Sequence, residues 1–120
     1  MELENILEEL QLELSDFYAS AIVGLDGLTI AEIKSDDNVD INGASAEFAS
    51  VINSMSKTSE YFDSGLVQGM LISTEKYNFL TQAVGNLPFF ILVVLGNTGN
   101  IGKARYLMGK LSKVVMEMVQ

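Results

Sequence analysis

Residues 19–33 read ASAIVGLDGLTIAEI. Two apolar runs meet at Asp26-Gly27. That is the strongest short-range signal for a β-hairpin, because glycine supplies the positive φ of a type I′ turn. The pattern predicts strands near 19–25 and 28–33.

Upstream, Leu3, Ile6, Leu7, Leu10 and Leu14 recur at the spacing of one helical stripe, so residues 2–14 read as an amphipathic helix. Downstream, KSDDNVDING (34–43) is a polar loop that feeds a second helix over 43–62. On that helix Ala44, Phe48, Val51, Ile52, Met55 and Phe62 are expected to form the core stripe. A strip of small residues, Ala46, Ala49 and Ser56, runs beside it, and Ser50, Asn53, Ser54, Lys57 and Tyr61 make a polar arc. Three strands follow, near 66–73, 77–84 and 89–95. The last, FFILVVL, is apolar on both faces and should lie mid-sheet with helices on both sides. A final helix spans about 101–118, with Ala104, Leu107, Met108, Leu111, Val114, Val115 and Met118 inward. The order is α-β-β-α-β-β-β-α, one α+β domain over residues 1–120.

Composition narrows the function classes. The chain has 120 residues, 48% of them apolar, enough for a single core. A net charge of −9 and a pI near 4.2 argue against nucleic acid, which needs a basic surface. The acidic, amphipathic start is unlike a signal peptide, and Leu87–Leu95 is too short to span a bilayer, so the expected setting is cytoplasmic, without membrane insertion. Charge is uneven along the chain. Residues 1–63 carry fourteen of the sixteen acids, and 103–113 carry four of the seven bases.

No motif assembles a catalytic or cofactor site. GNTGNIGKAR (96–105), following a strand, imitates a phosphate-binding loop. The Walker pattern needs Gly where Asn97 stands and Ser or Thr where Ala104 stands. Gly96, Gly99 and Gly102 also miss the dinucleotide spacing. Asn38-x-Asp40-x-Asn42-Gly43 imitates a calcium loop, but the terminal bidentate Glu is replaced by Ala49. The chain has neither His nor Cys, so His-based nucleophilic triads and thiolate metal sites are absent. We therefore expect no enzyme activity, no cofactor and no metal.

Strand 66–73 carries no charge from Ser64 to Thr74. At a sheet edge it would be unprotected, and pairing with a second copy would remove the hazard.

The whole chain, essentially 1–118, resembles the Roadblock family, the dynein light-chain type domain found also in bacteria and archaea. The resemblance rests on the element order, on the hairpin VGLDGLTIAE (23–32), and on GNIGKARYLMGKLSKVV (99–115), where Asn100, Gly102 and Arg105 fill an N-x-G-x-x-R turn into the last helix. The glycine-rich GNTGN (96–100) departs from the pattern. The resemblance implies a Roadblock/profilin-like fold: a five-stranded antiparallel sheet with one long helix on one face and the first and last on the other. It further implies a homodimer, for which Ala46, Ala49, Ser56, Val67, Gly69, Met70 and Leu71 are the candidate contacts. As partner it implies a Ras-like small GTPase, scaffolded or regulated without chemistry by the domain itself, with Ser50, Asn53, Lys57 and Tyr61 as candidate contacts. Arg105 reads as a structural turn residue. A small-ligand sensor or a structural subunit of a larger assembly is the alternative.

Overall fold

The computed structural model describes residues 2–119. Its elements are α1 (Leu3–Glu13), β1 (Phe17–Gly24), β2 (Thr29–Lys34), α2 (Ile41–Glu60), β3 (Gly69–Ser73), β4 (Tyr77–Ala83), β5 (Phe89–Gly96) and α3 (Ile101–Val119). The strands form one antiparallel sheet in the order β2-β1-β5-β4-β3.

The doubly apolar β5 is the central strand. Ile91, Val93 and Leu95 join α1 and α3 on one face, while Phe90, Leu92 and Val94 join α2 on the other. Strand alternation thus feeds two cores from one run of residues. Ile6, Leu7 and Leu10 of α1 are fully buried, each worth about 1.5–3 kcal/mol relative to exposure. Ala104, Met108, Leu111 and Val115 bury the inner face of α3 as expected.

The hairpin differs in its turn. Gly24 N–H donates to Leu28 O and Gly27 N–H to Gly24 O, so three residues, Leu25 to Gly27, make the loop. Gly27 has φ +90° and Asp26 does not enter the left-handed region, unlike a type I′ turn. The Asp26 carboxylate accepts from Leu28 N–H instead, fixing the bend from the side chain.

Helix α2 corrects the expected facing. Its sheet side is Ile41, Ser45, Ala49 and Ile52. Val51 (38% exposed), Met55 (40%) and Phe62 (80%) are not core. Small residues do the packing because β1 presents Ala19 and Ala21 beneath them, which seats the helix close to the sheet. The larger side chains are left along its flank, where Phe48 meets Phe79 at 5.4 Å between ring centroids. Phe62 lies beyond the end of α2, in the turn that leads away from it.

Strand β3 is the sheet edge and starts at Gly69 rather than near 66. Asp63 and Gly65, at φ +49° and +86°, turn the chain between α2 and the strand. β3 packs on β4, while α2 lies over β1 and β2 and α3 over β4 and β5, so the helices leave it largely uncovered.

Candidate functional site

The 96–105 loop is occupied by its own chain. Thr98 donates to the Asp16 carboxylate from its backbone N–H (3.1 Å) and its hydroxyl (2.6 Å). Asn97 donates from N–H to Lys76 O and from Nδ2 to Glu75 O. Asn100 caps α3, its Oδ1 accepting from Lys103 N–H. The Asp16 carboxylate thus takes up the donors that Thr98 would have to offer a phosphate. The Lys103 ammonium lies 3.8 Å from Glu13, an exposed pair. Gly96 is required here, because a Cβ on it would overlap the Asp16 carboxylate. The motif is a strand-to-helix connection.

The acidic 36–43 segment likewise starts a helix: Asp40 accepts from Gly43 N–H at 3.0 Å and caps α2. No group of three or more potential metal-ligating side chains occurs among the described residues. Also among them, no helix is long and apolar enough to cross a membrane.

Two surfaces of α2 stand out instead. The first is apolar. Phe48, Val51 and Met55 lie along the flank beside β4 and the free edge strand, whose exposed Ile72 is on the same face, while Leu71, also exposed, is on the face of α3. The small residues assigned to a helix contact are elsewhere. Ala49 is 2% exposed and faces the sheet. Ser56 is half-buried and donates to Ile52 O of its own helix. Ala46 lies on the opposite flank, beside Gly27 of the hairpin. Ala49 is therefore corrected, since packing on Ala19 and Ala21 draws it inward, and the three small residues do not form one exposed strip. Gly69 and Leu71 are exposed and Val67 and Met70 half-exposed, on or just before β3.

The second surface is polar. Ser50, Asn53 and Lys57 come together around a shallow depression of about 400 Å³ between α2 and the hairpin. Asn53 Nδ2 also donates to Leu25 O at 3.0 Å, tying the helix to the hairpin. Tyr61, at the end of α2, is exposed but lies outside this depression. Arg105 is exposed and makes no hydrogen bond or ion pair among the described residues, so it is not the structural turn residue expected. The crevice under the C-terminal half of α2, lined by Ile52, Ser56 and Phe90, holds about 90 Å³. Ordinary small-molecule pockets are about 300–1,000 Å³, so this crevice is too small for one, and the larger hollows are open to the surface.

Two apolar layers on one five-stranded antiparallel sheet, with a bare edge strand, define a Roadblock/LC7 fold. A Roadblock/LC7 domain from Streptomyces avermitilis superposes with a TM-score of 0.88 at 16% identity, covering 99% of this chain and 98% of that one. MglB of Myxococcus xanthus gives 0.85 at 16% identity, with coverage of 99% and 98%. A structure of MglB with a tetrameric arrangement gives 0.87 at 13%, with coverage of 95% and 85%. At these identities the likeness is one of fold. No protein-family model and no curated protein matches the sequence.

Proposed function

We propose that the protein is a homodimeric, non-enzymatic regulator or scaffold that binds a Ras-like small GTPase. The observation that carries this reading is the free β3 edge, uncharged from Ser64 to Thr74, beside the exposed apolar flank of α2 on a Roadblock/LC7 fold. Pairing β3 with its copy would continue the sheet and satisfy the open edge. Phe48, Val51 and Met55 would then supply the helix contact, in place of the small residues. The tetrameric arrangement of MglB supports self-association in a protein of this fold.

The GTPase contact is assigned to the polar arc of Ser50, Asn53, Lys57 and Tyr61. The domain would act on its partner by ordering the switch segments, without a reacting group of its own. Light scattering tests the dimer. Pull-down of the Ras-like GTPases of the same genome, in both nucleotide states, tests the partner class. Absence of binding in either state would remove the reading.

A further inference from the structure

We propose that the groove between α3 and the β3–β4 side of the sheet is a docking site for an acidic, amphipathic segment of a partner protein. It lies on the face opposite α2, so it is separate from the GTPase contact assigned above. The groove is open, about 840 Å³ in volume, and lined by Arg105, Lys110 and Lys113 of α3 with Leu66 and Gln82 across from them.

Charge is the first argument. Acids outnumber bases sixteen to seven in the chain, yet the groove lining holds three cations and no acid. None of the three has a carboxylate within ion-pair reach among the described residues. The acidic helix α1 packs over β1 and β2, across α3 from the groove. Charges beyond about 8 Å are largely screened at physiological salt, so the local cations decide what the groove attracts.

Shape is the second. From Arg105 to Lys113 the rim runs about 12 Å along the helix, longer than a single phosphate group requires. Gly109 lies in the middle of this wall, and a Cβ there would meet nothing within 4 Å. Glycine inside a helix costs about 1 kcal/mol relative to alanine, and packing within this fold gives no reason for it. Its missing side chain lets a ligand approach the helix backbone between the cations. Leu66 and Tyr106, both largely exposed, add apolar surface. A groove with mixed apolar and cationic lining suits one amphipathic segment. A nucleic acid or an anionic membrane would also meet the remaining acids of a −9 molecule.

The test uses the full chain, ¹⁵N-labelled, and a synthetic amphipathic Glu/Leu peptide of about 18 residues, roughly five helical turns. The control is the same peptide with Lys replacing Glu. The acidic peptide should bind and shift the amide signals of residues 105–116 and Gln82. The combined Arg105→Gln, Lys110→Gln and Lys113→Gln variant should bind it about tenfold more weakly or worse, a change of about 1.4 kcal/mol. Gly109→Ala, which raises helix propensity, should keep or raise the melting temperature while weakening peptide binding; it carries the test if the triple variant melts early. Capture of the GTPase should be unchanged in these variants. Failure to bind, equal binding of the Lys peptide, shifts confined to α2, or unchanged affinity in Gly109→Ala together with the triple variant would overturn the proposal. Tighter binding of phosphatidylserine vesicles through the same residues would overturn it too, assigning the groove to lipid.

Discussion

The Asp16 carboxylate accepts two hydrogen bonds from Thr98, one from the backbone N–H and a short one from the hydroxyl. Asp16 O also accepts from Gly96 N–H at 2.7 Å. These bonds join the α1–β1 turn to the β5–α3 loop across 82 positions of sequence. Asp16 holds φ +54°, a left-handed conformation that costs a non-glycine residue about 1–2 kcal/mol. The bonds to Thr98 and Gly96 offset that strain and fix where α3 begins.

Asp16→Ala should therefore lower stability by about 1–3 kcal/mol, the range for losing charge-assisted bonds at a partly exposed site. Asp16→Asn should lose less, because asparagine tolerates left-handed φ and still accepts a bond. Gly96→Ala, whose Cβ would displace the same carboxylate, should destabilise non-additively with Asp16→Ala. Urea unfolding of the two single variants and the double measures this. Additive losses would mean that Gly96 acts independently of the clamp.

Ala49→Leu and Ala46→Leu test the facing of α2. Ala49 is buried against Ala19 and Ala21, so three added carbons overpack the core and should cost about 1–3 kcal/mol. Ala46 is exposed, and the same change there should fall within about 0.5 kcal/mol. Thermal unfolding of both variants decides the facing. A harmless Ala49→Leu would place the small strip outside.

The facing of α2 is also where the sequence was least legible. The strands, their order and the central place of FFILVVL follow from alternation and apolar runs, which report local geometry directly. The stripes of α1 and α3 are equally plain, since each has one apolar side. Helix α2 has two, and periodicity cannot tell which meets the sheet. The deciding fact is that Ala19 and Ala21 of β1 are small, a contact between residues far apart in the chain. The cationic groove was visible only as a cluster of bases at 103–113, because Gln82 reaches it from β4 and Leu66 from the segment before β3.

Ile72→Lys on the free edge strand, combined with Met55→Lys on the apolar flank of α2, should convert the proposed dimer to a folded monomer. Both side chains are exposed in the single chain, so the monomer loses little core packing. A charge on each side of the dyad would repel its own copy and cost self-association far more than folding. Light scattering should report a mass halved toward 13.1 kDa, with an unchanged circular dichroism spectrum. A variant that stays dimeric would place the interface on another surface.

Asn53 and Lys57 share one depression but differ in what holds them, and that difference separates binding from folding. Asn53 Nδ2 donates to Leu25 O, so Asn53→Ala should lower stability by about 0.5–1.5 kcal/mol and loosen the hairpin against α2. Lys57 makes no ion pair among the described residues, so Lys57→Glu should change stability by less than about 0.5 kcal/mol. If the arc meets the GTPase, Lys57→Glu should nonetheless reduce its capture, through charge reversal at the contact. Parallel melting curves and pull-downs of the two variants read the two effects independently. Full capture by a well-folded Lys57→Glu variant would move the GTPase contact away from this arc.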